Sequence, residues 1–338
     1  MVNNQLTPKE CSLNMSKYTV VISDSPFPSP QPFLDTLKEI DCEIIFADLN
    51  DKAGFEMLCE KADGMIVTYA EINAAIINQL TKCRILARTG VAVNNIDLNE
   101  ATKKKIYVTN VVTPQILEVA KHAITLLLTS VKKIVLLNNN VKKGIWNFNA
   151  AVPIYQMTGK TLGLAGFGNI AKEVAKIAKI LGLNVIAYDP YVKQEVFAES
   201  DVLKVEFSEL IKVSDYISIH MPLTEETKDL FNTAEFDSMK QTAYIINTSR
   251  GGIINEDALI EAIDKGKIAG AGLDVLSTEF PGEDHPLFKY PNVIITPHSA
   301  YYSEECVENL QKSAAHEIVR VLKGEKPLSL VNKELLID

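Results

Sequence analysis

The sequence predicts an α/β protein built from two doubly wound parallel sheets, and three observations carry the prediction. Short β-rich runs alternate with amphipathic segments along almost the whole chain, the pattern of parallel strands joined by crossover helices. Lys160–Pro190, KTLGLAGFGNIAKEVAKIAKILGLNVIAYDP, passes from an apolar run through a glycine turn into a helix and on to a second strand. The length of 338 residues exceeds one ordinary core and points to about two domains.

Composition narrows the class. An apolar fraction of 47% and a charged fraction of 23% are those of a soluble globular protein. No apolar run reaches the roughly 18 residues of a membrane helix, so no membrane partner is expected. The first 17 residues are polar, with Pro8 and Cys11 but no apolar core, and read as a disordered extension rather than a secretory signal; a cytoplasmic location follows. The five cysteines, Cys11, Cys42, Cys59, Cys83 and Cys306, are odd in number and lack CxxC spacing, which fits reduced thiols and no metal site. A net charge of −9 opposes nucleic acid as a partner. The lysine clusters at 103–105 and 142–143 are short and fall at expected helix ends, where cations complement the dipole.

From Tyr18 the elements follow in order. Strands are expected at Thr19–Ser23, Glu43–Ala47, Met65–Tyr69, Ile85–Arg88 and Ile106–Asn110, with helices at Pro32–Ile40, Ala53–Lys61, Ala74–Leu80 and Leu98–Lys104. Pro114–Leu137 reads as one long helix with a broad apolar stripe of Ile116, Val119, Ala120, Ala123, Leu127, Val131 and Ile134. Leu126, Leu128 and Val135 widen it, so the helix is expected to be covered on more than one side, at a subunit interface or wedged between two domains. Asn138–Gln156, asparagine-rich and broken by Gly144 and Pro153, reads as an arm or linker.

The glycine turn comes next. Thr161–Ala165 is the strand, and Ile170, Val174, Ile177, Ala178 and Leu181 form one helical face before Gly182 and the strand Asn184–Tyr188. Gly166 permits the tight turn, Gly168 lets the backbone approach a pyrophosphate, and Ala171 allows close packing of helix on strand. The helix N-terminus at Phe167, Asn169 and Ile170 faces the anion. Asp189 follows Gly168 at about the 20-residue spacing of a dinucleotide fingerprint, placed to accept both ribose hydroxyls. A carboxylate repels a 2′-phosphate, so NAD rather than NADP is the expected cofactor.

Further strands are expected at Val205–Phe207, Tyr216–His220, Ala243–Thr248, Gly270–Val275 and Val293–Thr296, then a closing helix at Glu304–Lys323. Ligands of such sheets bind beyond the carboxyl ends of the strands. Those ends carry His220-Met221-Pro222, Thr248-Ser249-Arg250, Asp274 to Glu279, and Thr296-Pro297-His298. An arginine, an acid and a histidine make a hydride-transfer set. Histidine, with an ordinary pKa of about 6.5, exchanges the proton that accompanies a hydride near neutral pH. A neighbouring carboxylate would hold the ring and raise its pKa, and an arginine fork would bind a substrate carboxylate. His122 and His316, inside amphipathic helices, read as structural, and His285 as a loop residue.

These strand ends resemble the D-2-hydroxyacid dehydrogenase family, which includes phosphoglycerate dehydrogenases and the C-terminal binding protein corepressors. The resemblance covers nearly the whole chain, through RTGVAVNNIDL from Arg88, LEVAKHA, GLAGFGNIA, YDPY, IHMPLT, INTSRGGIIN, GLDV and TPHSAYYSEE from Thr296. It implies a Rossmann NAD-binding domain, 110–300, inserted into a flavodoxin-like substrate domain made of 1–109 and 301–338, with hinges near Asn110 and Ala300 and the long helix as a homodimer element. It implies Arg250, Glu279 and His298 as catalytic residues. Val91 and Ala92 would hold the substrate carboxylate together with Arg250 and His298. His220, Met221, Pro222, Thr248, Ser249, Arg250 and Asp274 would line the cofactor, with Val119, Thr227, His298 and Ala300 completing its contacts. The sequence departs from the family pattern at Ala92 and Asn94, at Phe280 between Glu279 and Pro281, and at Tyr301, where the corepressor branch has tryptophan.

The expected activity is reversible hydride transfer between NADH and a small 2-oxo monoacid. The loops at Ser25-Pro26-Phe27 and Tyr69-Ala70-Glu71 hold no cation for a second anionic group. The competing expectation is an NAD(H)-sensing regulatory protein of corepressor type.

Overall fold

The structure is a computed structural model that describes residues 16–336, so the expected extension at 1–17 lies almost entirely outside the described residues. The chain divides into two compact units. The terminal unit holds the chain up to Pro114 together with Glu304 onward, and the inserted unit is Gln115–Ser303.

In the terminal unit, β1 (Tyr18–Ile22), α1 (Gln31–Leu37), β2 (Cys42–Phe46), α2 (Lys52–Lys61), β3 (Gly64–Val67), α3 (Ala74–Gln79), β4 (Ile85–Arg88), α4 (Leu98–Lys103) and β5 (Tyr107–Thr109) alternate as the sequence pattern requires. The sheet is wholly parallel in the order β2-β1-β3-β4-β5, the flavodoxin-like order. Its central strands are apolar on both faces because helices cover both. Side chains open three of the helices: Asp51, Asn73 and Asp97 accept the backbone N–H groups of Gly54, of Ala75 and Ile76, and of Glu100. The closing helix (Glu304–Leu322, α12 below) packs on α1, β3 and β4. The tail after it returns beside β5, where Leu330 bridges Thr109.

In the inserted unit, α5 (Ile116–Val131), α6 (Ile134–Lys142), β6 (Thr161–Ala165), α7 (Asn169–Ile180), β7 (Asn184–Tyr188), α8 (Gln194–Glu199), β8 (Leu203–Lys204), α9 (Phe207–Val213), β9 (Tyr216–Ile219), α10 (Thr233–Ser238), β10 (Tyr244–Asn247), α11 (Glu256–Asp264), β11 (Gly270–Leu273) and β12 (Val293–Ile295) precede α12 (Glu304–Leu322). Seven parallel strands lie in the order β12-β11-β10-β9-β6-β7-β8. The order reverses at β6, and the core is split between the two faces of the sheet.

The observed elements depart from the expected ones at several places. The single helix over Pro114–Leu137 is two helices, because Lys133 takes a left-handed conformation, φ 52°, that ends α5. The stripe of α5 is spent inside its own unit: Val119, Ala120, Ala123, Leu126, Leu127 and Val131 are buried, packed over the sheet and α7. In α6 nothing is buried, and Ile134 and Val135 stand exposed. The arm then begins with helix, since Asn138–Lys142 belongs to α6. The strand expected at Val205–Phe207 is likewise displaced to Leu203–Lys204. Phe207 instead opens α9 and packs against Tyr188 and Phe231, while Leu210 and Ile211 bury the helix face.

Candidate active site

The inserted unit presents its chemistry at the carboxyl edge of its sheet. After β6, Gly166 turns the chain at φ 94°, a conformation L side chains rarely adopt, and a Cβ there would stand 2.8 Å from the backbone of His220 and Met221. Gly168 has ordinary φ, and a Cβ there would meet nothing within 4 Å. It precedes α7, which no side chain caps, unlike α10 and α11, whose first turns are capped by Asn232 and Asn255. An uncapped first turn of twelve residues of helix, approached over a glycine that meets only open space, fits a diphosphate. The Phe167 ring plays no part at this surface: it is fully buried, stacked on Phe197 at 4.5 Å, and only its backbone reaches the turn.

Asp189, after β7, is bonded to its own chain. One carboxylate oxygen accepts the Phe167 N–H at 2.9 Å, and the other accepts those of Tyr191 at 2.9 Å and Val192 at 3.2 Å. The carboxylate therefore braces the glycine turn. Three of its about four lone-pair sites are thereby engaged by its own chain.

After β9, His220 lies with Nε2 2.8 Å from the Ser218 hydroxyl, and burial pushes its imidazole down to about 4. Met221 is buried and Pro222 exposed, and the Pro222 carbonyl accepts the Thr227 hydroxyl at 2.6 Å. After β10, the Ser249 hydroxyl donates to the Ile219 carbonyl at 3.0 Å, and the Thr248 hydroxyl oxygen is buried without a partner. Arg250 Nη1 donates to the Ser249 carbonyl at 2.6 Å, and the Arg250 carbonyl accepts from Asn247, so the arginine stem is fixed from both sides.

After β11 and β12 the sheet edge closes around one acid. Asp274, 1% exposed, accepts the Thr296 hydroxyl at 2.5 Å, the Ser299 N–H at 3.0 Å and the Ala300 N–H at 2.9 Å. Its own carbonyl accepts the His298 N–H at 2.8 Å. The loop wrapped in this way holds His298 at φ 50°, sparsely populated for any residue but glycine. The His298 ring meets Glu279, Nδ1 to Oε2 2.7 Å, and its side chain keeps 24% exposure against 44% for the glutamate. Tyr301 sets its ring edge-on to the histidine at 6.5 Å. A pocket of about 410 Å³ opens beside the pair, between Leu276, Pro281, Phe288 and Ile295. The structure thus brings Glu279 and His298 together. It engages Asp274 with its own chain, and it places Val119 in the buried face of α5.

The terminal unit has its own strand-end cluster, which sequence reading missed. Asp24 accepts the Thr68 N–H at 3.0 Å and the Tyr69 N–H at 2.6 Å, and the Asn95 amide donates to the carbonyls of Thr68 and Ala70. These bonds lace together the loops at 24–27, 68–71 and 90–96. The Val91 carbonyl accepts from Asn110 at 2.7 Å. The Arg88 guanidinium folds over Gly90 so closely that a Cβ on the glycine would stand 1.4 Å from Nη1. A cation therefore stands at the Val91-Ala92 loop.

Among the described residues no helix is long and apolar enough to cross a membrane. Residues 124–300 match the family model described as D-isomer specific 2-hydroxyacid dehydrogenase, NAD binding domain. A D-3-phosphoglycerate dehydrogenase of Archaeoglobus fulgidus is 39% identical over 80% of this chain and 52% of its own length. A glyoxylate reductase of Korarchaeum cryptofilum is 38% identical over 78% of this chain and 81% of its own. The crystal structure of D-lactate dehydrogenase from Aquifex aeolicus complexed with NAD and lactic acid superposes with a TM-score of 0.82 at 28% identity, covering 90% of this chain and 96% of the other. The chain spans about half the length of the first of these relatives and about four fifths of the second.

Proposed function

The chain belongs to the D-isomer specific 2-hydroxyacid dehydrogenase family and carries its NAD-binding domain, and from that premise we propose that it interconverts a small 2-oxo acid and the matching 2-hydroxy acid with NAD(H). The observation that supports the reading most is the 2.7 Å bond between His298 Nδ1 and Glu279 at the strand edge that also carries Arg250.

The cofactor, when bound, supplies or takes the hydride. The uncapped turn from Gly166 to Ile170 would hold its diphosphate, and Asp189 would hold the ribose. With Nδ1 donating to Glu279, His298 offers Nε2 for proton transfer. In reduction the substrate carbon gains a hydride and its carbonyl oxygen gains the Nε2 proton; in oxidation Nε2 takes that proton back. Arg250 would bind the substrate carboxylate through its fork and polarise the adjacent carbonyl. Val91 and Ala92 are the proposed backbone contacts on the terminal unit. Asp274 serves by holding the histidine loop. The exposed apolar run after α6, with Ile145, Phe148, Tyr155 and an 89% exposed Trp146, supports a homodimer as the assembled form.

A 2-oxo monoacid is the first reading of the substrate, from the cation-poor loops at 25–27 and 69–71. A phosphorylated 2-oxo acid is the second, and Arg88 at Gly90 favours it, since a guanidinium pairs a phosphate in two bonds. NADH oxidation with glyoxylate, pyruvate, hydroxypyruvate and phosphohydroxypyruvate tests both. A kcat/KM ranking led by the unphosphorylated acids supports the first. Preference for the phosphorylated acid that disappears in Arg88→Met supports the second, and turnover with none of them replaces the enzyme reading with that of an NAD(H)-sensing regulator.

A further inference from the structure

We propose that His122, far from the strand edge in sequence, is a positioning residue for the proton-transferring loop, which it holds through Thr296 and Asp274. The proposal rests on the reading of His298 given above. His122 lies on α5, whose inward residues are otherwise apolar or small, and its side chain is 23% exposed. Its Nε2 stands 3.0 Å from the Thr296 hydroxyl oxygen and 3.5 Å from Asp274 Oδ1.

Hydrogen counting fixes the direction of this chain. The Asp274 carboxylate, with a side chain wholly out of solvent, only accepts when ionised. A threonine hydroxyl has one hydrogen, and at 2.5 Å from Asp274 that hydrogen is committed to the carboxylate. The Thr296 oxygen is left to accept, and the group placed to donate is His122 Nε2–H. The sequence of bonds is therefore His122 Nε2–H to Thr296 Oγ1, then Thr296 O–H to Asp274 Oδ1. Bonds in such a row polarise and strengthen one another.

The same carboxylate gathers Ser299 and Ala300, and the same residue's carbonyl gathers His298. The left-handed φ of His298 costs free energy and persists only where its surroundings over-determine it. His122 supplies one of those determinants: it pins the threonine rotamer, the threonine pins the carboxylate, and the carboxylate sets the loop that aims the ring at Glu279. Its contacts are with the loop's template rather than with the reacting atoms.

Three variants test the role. His122→Leu removes the donor, His122→Gln keeps an N–H donor at similar reach, and Thr296→Val removes the relay hydroxyl at constant shape. His122→Leu should lower kcat for oxo-acid reduction by about 10- to 100-fold, the cost of misplacing a reacting group by about an ångström, while leaving the KM for NADH and the melting temperature close to those of the parent. It should also broaden the low-field ring N–H proton resonance that the His298–Glu279 bond produces. His122→Gln should restore most of both, and Thr296→Val should reproduce the leucine variant without adding to it in the double variant. Parent-like kcat and resonance in His122→Leu overturn the proposal, as does a glutamine variant no better than leucine. The resonance does not depend on turnover. A protein inert toward every oxo acid whose resonance still responds to His122→Leu keeps the positioning role and fails the reading of the reaction, whereas an active enzyme with an unresponsive resonance fails the positioning role alone.

Discussion

The glycine turn after β6 and the histidine loop after β12 end strands of one sheet, yet they are built by opposite means. The turn is made of backbone: Gly166 takes a conformation other residues avoid, and Gly168 leaves open the approach to the first turn of α7. The loop is built on one side chain: the buried Asp274 carboxylate gathers the Thr296 hydroxyl and the Ser299 and Ala300 N–H groups, and the key residue is a histidine held in a left-handed conformation. A backbone site is specified largely by local residue types. A wrapped site depends on partners scattered along the chain, and damage to it arrives from a distance.

The histidine loop is tested most directly at its chemical end. His298→Gln should reduce turnover by about 10²- to 10⁴-fold, because general acid–base catalysis contributes that much, while cofactor affinity and melting temperature stay near the parent values. Steady-state kinetics with NADH and the best oxo acid measures it. Turnover within a few-fold of the parent would remove His298 from the mechanism and leave the loop as mere scaffold.

The turn is sharpened by a pair of substitutions that look alike in sequence. Gly166→Ala puts a methyl 2.8 Å from the His220 and Met221 backbone at φ 94°, so strain and clash together should cost about 2–5 kcal/mol of stability. Gly168→Ala meets no atom and an ordinary φ of −79°, so stability should hold or rise by about 0.4–1 kcal/mol, while NADH affinity falls because the methyl enters the diphosphate's approach. Thermal melting and fluorescence titration separate the two effects. Equal melting temperatures for the two variants would mean that Gly166 is not the point of close approach.

What the sequence disclosed follows the same division. Strand bounds at Ile85–Arg88, Thr161–Ala165 and Asn184–Tyr188 were legible to the residue, since each is a short apolar run bounded by punctuating residues. The dinucleotide turn was legible because its glycines and the acid that follows form a local pattern. The break of the long helix was not, because Lys132 and Lys133 sit inside an uninterrupted helical periodicity, and the left-handed residue that ends α5 is a lysine rather than a glycine. Neither was the brace from Asp189 to Phe167, nor Asp24, whose partners lie 44 and 45 residues away. The histidine loop was half legible: strand-end position and resemblance singled out Arg250, Glu279 and His298, while His122 read as structural because nothing local ties a helix residue to a threonine and an acid more than a hundred and fifty positions on.

The smallest effect compares the two strand-end histidines themselves. His298 is bonded to a carboxylate, whereas His220 meets the neutral hydroxyl of Ser218 and is held by burial at a pKa of about 4, below the ordinary 6.5. The folded protein thus binds the His220 proton less readily than the unfolded chain does. By linkage its contribution to stability is fully present above about pH 6.5 and is lost as pH falls from there toward 4. Replacing the ring by a group that does not titrate should flatten that stretch of the curve. Melting temperatures of the parent and of His220→Gln, taken at intervals between pH 7 and 4, should therefore converge as the medium becomes more acidic, the parent losing more. If the two curves fall in parallel, His220 is as readily protonated in the fold as outside it. The backbone wall that it offers to Gly166 would then be its whole contribution to the turn.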